Sequence, residues 1–283
     1  MLQKSDGGFG YDSTDMAALK YRINDLGASR VVCITDFSQG DHFHMIFDAG
    51  RKAGWVNNTH KLEHIGFGTV MGEDGKRFKT RSGDTVRLVD LLDEAVSRME
   101  ISLNERIEEG KATLTKDELH NVAATMGYGA VKYFDLRRNP TTNYKFSYDQ
   151  MLDTKGNTAI YLLYAHARLE SICSKGKEKH NVDVDDLINN KAVQIQIVHP
   201  CERVLALHLQ MFADVIDEVL KDLYPYRICD YLYALSNSVS DFVTQCKVLG
   251  SPEMASRLLL CRASAVVMRS CFALLGIGYV KRI

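Results

Sequence analysis

The feature that most constrains this chain is a change of pattern near Leu152. Beyond it, apolar residues recur at helical spacing. Leu205, Leu209, Phe212, Ile216 and Leu220 form one stripe, and Leu258, Ala265, Phe272 and Leu275 contribute to another. Repeats of three and four residues place such side chains on one buried helix face. The pattern predicts helices over 158–172, 192–199, 204–220, 228–249 and 253–275, with 175–180 as a charged turn between two of them. Helices joined by short links make a bundle. Before Leu152 the apolar runs are short and bounded by glycine. Arg30-Val-Val-Cys-Ile-Thr35 reads as a buried parallel strand. Asp36-Phe-Ser-Gln39 follows at its carboxyl end, where open α/β sheets place ligand groups. The expectation is α/β over residues 1–152 and all-α over 153–283.

Within the first part, Gly72-Glu-Asp-Gly-Lys-Arg-Phe-Lys-Thr-Arg-Ser-Gly83 gathers Lys76, Arg77, Lys79 and Arg81 between bending glycines. Val86, Val89, Leu92, Val96 and Met99 then mark one face of a helix running to about Glu109, with Asp84 or Thr85 as cap. The pattern suits a cationic loop that closes on polyphosphate. It also suits a solvated hairpin, since Asp74-Gly75 is a turn signal by itself. After this helix, Lys116 to Thr125 reads as a second. Segments 128–135 and 143–148 read as short aromatic strands or extended segments.

Upstream, Tyr11-Asp-Ser-Thr-Asp15 leads into a helix from Met16 to Tyr21, with Ser13 or Thr14 as cap. Asp15 in a first turn would complement the helix dipole. Alternatively, Tyr11 and Asp15, one turn apart, offer a phenol and a carboxylate at one mouth, and a carboxylate pairs well with a guanidinium. His42 and His44 read as polar surface or satisfied histidines rather than metal ligands. His64-Ile-Gly-Phe-Gly68 reads as a strand whose glycines allow close backbone approach. Tyr161 and Tyr164 lie one turn apart after Lys155-Gly-Asn-Thr158, a placement that suits unstacked RNA bases or a packed core.

Several classes are excluded. Gly75-Lys76 is followed by Arg77, so there is no Walker loop, and GxGxxG is absent. Lys+Arg 35 against Asp+Glu 36 gives a net charge of -1, so a nucleic-acid partner must be met by local patches. The 7 cysteines include no Cys-x-x-Cys pair and read as reduced core thiols of a cytoplasmic protein. No apolar run approaches the ~20 residues of a membrane span.

Phe78-Lys-Thr-Arg-Ser82 stands where class I aminoacyl-tRNA synthetases carry their KMSKS signature. The wider form, from Gly75-Lys76 through Gly83 to Val89-Asp-Leu-Leu92, resembles arginyl-tRNA synthetases, many of which lack the standard signature. The likeness extends through Ile34-Thr35-Asp36, Gln39 and His42-Phe43, and through Phe146-Ser-Tyr-Asp-Gln-Met-Leu152. It continues in Lys155-Gly-Asn-Thr-Ala-Ile-Tyr-Leu-Leu-Tyr-Ala-His-Ala-Arg168, which is similar to the opening of the anticodon-binding bundle named for Asp-Ala-Leu-Arg. The resemblance implies the second half of a class I nucleotide-binding, Rossmann-like catalytic domain, followed by a helical anticodon-binding domain. It implies ATP-dependent activation of arginine and transfer to tRNA(Arg), with magnesium accompanying ATP and no role for DNA or a membrane. By the family pattern, Tyr11, Asp15 and Gln39 hold arginine, His64, Gly66 and Gly68 line the ATP site, and Lys79 and Arg81 stabilise charge on the triphosphate. Tyr161 and Tyr164 meet tRNA. Where relatives often carry Phe-Tyr, this chain has Phe242-Val243, which removes a phenol. His64-Ile-Gly-Phe67 is not the HIGH signature, which belongs to a preceding half. That half is an expected partner, and the chain alone is expected to be inactive. A non-catalytic tRNA-binding or assembly module of the same family is the alternative.

Overall fold

The computed structural model describes residues 3–72, 75, 76, 87–110, 112, 114–190 and 193–283. Lys79 and Arg81, and the expected caps Asp84 and Thr85, lie outside them. By backbone contacts the chain divides into Met1–Arg77 with Pro140–Lys145, and Phe78–Asn139 with Phe146–Ile283.

The first unit begins with helix α1 (Tyr11–Lys20), continued by a wider turn over Tyr21–Asp25. The helix starts at Tyr11 with Gly10 as an N-cap that offers no side chain. Neither Ser13 nor Thr14 caps it; the Thr14 hydroxyl donates back to the Tyr11 carbonyl at 2.9 Å. Strand β1 (Arg30–Asp36) leads through a 3-10 turn (Phe37–Gln39) into α2 (Gly40–Lys52), and β2 (Lys61–Phe67) returns parallel to β1. The register sets Val31 beside Leu62, Cys33 beside His64 and Thr35 beside Gly66.

Side chains alternate across a strand, so those pairs share one face. That face meets Met16, Leu19, Ile23, Phe43, Ile46 and Phe47, which with Val31 and Val56 form the unit's core. The opposite face carries Val32, Ile34 and Phe67, all exposed, with Ile34 at 66%. The expected parallel strand is present, but it is buried on one face only, because α1 and α2 both pack on the same side. A further short parallel pair, β3 (Val70–Met71) with β4 (Tyr144–Lys145), joins residues far apart in sequence.

The second unit is helical: α3 (Leu88–Glu108), α4 (Lys116–Leu136), α5 (Tyr148–Met151), α6 (Ala159–His180), α7 (Val184–Asn190), α8 (Pro200–Gln210), α9 (Phe212–Asp222), α10 (Tyr226–Gln245) and α11 (Met254–Leu274). Four expectations are corrected here. Residues 128–135 are helix, not strand: Gly127 lets the α4 backbone approach α3 so closely that a Cβ would lie 2.9 Å from the Val96 nitrogen. Residues 175–180 are the last turns of α6, where Lys177, Lys179 and His180 suit the negative end of the dipole. Residues 193–198 are extended rather than helical. The Glu202 carboxylate takes the backbone N–H of Val198 and His199, and the Ser256 hydroxyl meets both backbone groups of Gln196. Helix α8 therefore starts at Pro200. The expected helix over 204–220 divides at Met211 into α8 and α9.

Candidate substrate site

In the first unit the carboxyl ends of β1 and β2 open on a cavity of about 270 Å³. Asp36, Phe37, Ser38, Phe67, Gly68 and Asn143 are among its lining residues. Gly68 must be glycine for steric reasons: a Cβ there would lie 2.4 Å from the Thr142 carbonyl oxygen. Its N–H donates to the Pro140 carbonyl at 2.6 Å. Beside it, the Asn143 side-chain oxygen accepts from the Thr69 N–H at 2.7 Å. At Gly66 a Cβ would sit 2.8 Å from the Phe37 Cα, so Phe37 closes over the strand only because no side chain opposes it. Thus Gly68 lines the cavity, Gly66 supports its Phe37 wall, and His64 stands one alternation further back on the helix-covered face.

His64 is held from two sides. Its Nε2 lies 2.8 Å from the Thr35 hydroxyl, and the Phe43 ring stacks on it with centroids 5.3 Å apart. Desolvation, then the neighbouring His44, push its pKa below the ordinary histidine value.

The residues expected to hold arginine lie on α1 and at the start of α2. Tyr11 is 88% exposed and borders a second cavity with Lys4, Phe9, Gly10, Asp12 and Thr14. Asp15 is not in the first turn, where the acid is Asp12; the dipole reading of Asp15 fails for that reason. Instead its Oδ2 lies 2.7 Å from His42 Nε2, while His42 Nδ1 is 3.6 Å from Asp12 Oδ1. Gln39 is the N-cap residue of α2 and is exposed, and His42 stands in the first turn of that helix. The two helix starts are therefore brought together through His42 and Asp15, a pairing across 27 positions of sequence.

In the helical unit the Tyr161 hydroxyl donates to Asn237 Oδ1 at 2.9 Å and lies 3.1 Å from the Ser240 hydroxyl, tying α6 to α10. The Tyr164 ring lies under the Arg106 guanidinium at 4.7 Å. Burial raises its pKa. Both rings are half-buried. The loop before them is fixed by a residue that sequence reasoning missed: the Tyr133 hydroxyl donates its one proton to Asn157 Oδ1 at 2.5 Å, with the Cys229 carbonyl 3.0 Å away. Arg137 donates to the Asn157 carbonyl. Thr158 caps α6 by accepting from the Tyr161 N–H.

Residues 1–148 match the family described as tRNA synthetases class I (R), catalytic domain, and residues 162–283 match the DALR anticodon binding domain. The chain belongs to the arginyl-tRNA synthetase family. It is 52% identical over 288 aligned residues to the chloroplastic/mitochondrial arginine–tRNA ligase of Arabidopsis thaliana, covering 100% of this chain and 44% of that protein. It is 46% identical to the arginine–tRNA ligase of Nostoc punctiforme, with 100% and 47% covered. The crystal structure of the Plasmodium falciparum arginyl-tRNA synthetase superposes with a TM-score of 0.85 at 35% identity, covering 100% of this chain and 46% of that one. A Thermus thermophilus synthetase at 21% identity shares the fold, with a TM-score of 0.80. The chain thus corresponds to the C-terminal region of arginyl-tRNA synthetases and spans just under half the length of these relatives. Its two matched parts are a class I catalytic segment and a helical anticodon-binding domain. No described helix is long and apolar enough to cross a membrane.

Proposed function

We propose that this chain supplies the second half of an arginine–tRNA ligase, which activates arginine with ATP and transfers it to tRNA(Arg). The observation that carries the reading is the cavity at the ends of β1 and β2. Gly66 and Gly68 admit Phe37 and the Thr142 backbone where any side chain would clash, in a segment matched to the class I catalytic domain. Under this reading residues 1–152 contribute the ATP and arginine groups, and residues 153–283 bind tRNA. His64, Gly66 and Gly68 form the adenine side of the site. Lys79 and Arg81 stabilise negative charge as pyrophosphate leaves. Magnesium enters with ATP as counter-ion to its phosphates, and no described residue is assigned to it. Tyr11, Asp15 and Gln39 select arginine, the Asp15 carboxylate facing a guanidinium. Tyr161 and Tyr164 hold the anticodon loop, with Arg106 beside Tyr164 as a nearby cation. A cytoplasmic setting agrees with cysteines that are all free thiols.

The exposed face carrying Val32, Ile34 and Phe67 is where a further layer belongs, since parallel sheets are covered on both faces. The remainder of the relatives' length is its proposed cover. The test is charging: this chain, fused behind the preceding half of the Arabidopsis chloroplastic/mitochondrial relative, attaches labelled arginine to tRNA. Asp15→Asn weakens arginine by about 1.5–3 kcal/mol, the range for hydrogen bonds to charged groups, and leaves ATP unaffected. Equal losses for arginine and ATP, or none, would remove Asp15 from the arginine site.

A further inference from the structure

Asp15 sits on α1 with its side chain 37% exposed, and a carboxylate in that setting is free to turn unless something holds it. A carboxylate has no proton to give, so the 2.7 Å contact requires that His42 Nε2 carry the hydrogen and donate it to Asp15 Oδ2. The other ring nitrogen faces Asp12, one turn earlier on the same helix, at 3.6 Å. His42 is itself fixed. It stands in the first turn of α2, and its ring meets the edge of Phe43 at 5.2 Å. Phe43 belongs to the core and stacks on His64, which in turn meets Thr35. The orientation of Asp15 is thereby referred through three rings to strand β1.

We propose that His42 is the positioning residue for Asp15, and that the two preassemble a guanidinium subsite within this chain. The proposal rests on the reading of Asp15 as the guanidinium partner. A guanidinium forks onto both oxygens of one carboxylate in a common plane. Each oxygen has lone pairs to spare, so a donor already on Oδ2 fixes the plane without blocking it. Fixing the rotamer beforehand removes an ordering cost from binding.

The alternative is a plain pairing of α1 with α2 that serves stability alone. L-Arginine titrated into the 283-residue chain, followed by NMR of the backbone and histidine rings, separates the two, with citrulline as neutral control. Arginine should shift the α1 and His42 signals, and citrulline should not. His42→Ala should weaken arginine roughly threefold to tenfold, the worth of one immobilised side chain. His42→Gln, which keeps a donor, should recover most of the loss. Asp15→Asn should weaken arginine roughly tenfold to a hundredfold, and adding His42→Ala to it should change nothing further. An unchanged arginine affinity in His42→Ala, with or without a lower melting temperature, overturns the positioning role. If Asp15→Asn still weakens arginine in that case, the guanidinium reading stands without it. If Asp15→Asn is also silent, that reading falls as well. Failure of the chain to bind arginine better than citrulline overturns the preassembled subsite.

Discussion

The two compact units treat apolar surface differently. In the helical unit Tyr133, Phe134, Phe242 and Phe272 are each under 2% exposed, because helices on several sides enclose one another's stripes. In the α/β unit a core of eight buried residues lies on one face of the sheet, while Val32, Ile34 and Phe67 meet solvent on the other. A bundle can close on itself. A parallel sheet needs a layer on each face, and here the candidate cavity opens where only one layer stands. The large buried aromatics thus belong to one unit and the candidate cavity to the other.

The largest effect that would sharpen this contrast is expected at Glu202. Its side chain is fully buried and accepts from Arg257 Nε at 2.7 Å and from two backbone N–H groups. Glu202→Ala leaves Arg257 to Glu253 at 3.1 Å and the Lys247 carbonyl, takes the acceptor from two backbone N–H groups, and should cost about 3–5 kcal/mol, the range for breaking a buried pair from one side. Chemical unfolding should show that loss in the helical signal, with the NMR signals of β1 and β2 retained. Simultaneous loss of both would contradict separate treatment of the units.

Next come two glycines, one from each unit. Gly127→Ala presses a methyl group onto the α3 backbone, and Gly68→Ala presses one onto Thr142. Overpacking of this kind costs about 1–3 kcal/mol. Thermal unfolding should register the first as a loss of the bundle. The second should also raise KM for ATP in the fused protein, because Gly68 lines the cavity. Equal ATP effects from both would break the assignment of substrate chemistry to the α/β unit.

The smallest effect is expected at Ile34, whose exposed position makes Ile34→Thr worth less than about 0.5 kcal/mol in the isolated chain. The same change should reduce activity in the fused protein, where the proposed cover lies on that face. A large loss in the isolated chain would show that the face is already packed.

Much of this was legible in the sequence, and the exceptions share a cause. The parallel strand, the helical second half and the need for glycine at positions 66 and 68 follow from local pattern. Residues 128–135 do not: their aromatics and glycines suggest strands, yet Gly127 against the α3 backbone makes a helix, tertiary packing overriding propensity. The 193–198 segment is extended because a buried Glu202 and Ser256 claim its backbone, a demand written three to sixty positions away. His42 follows Asp41 in sequence, yet its carboxylate partner is 27 residues upstream on another helix. Spacing rules reveal faces of single elements; contacts between elements need the fold.

The most direct test of the account is arginine-dependent ATP–pyrophosphate exchange by the purified 283-residue chain, alone and then with the preceding half of the Arabidopsis chloroplastic/mitochondrial relative supplied as a fusion. The account predicts no exchange alone and arginine-specific exchange after fusion, lost on Lys79→Ala with Arg81→Ala. Robust exchange by the chain alone would contradict the one-layered, incomplete site; no exchange in either setting would leave a tRNA-binding module rather than half an enzyme.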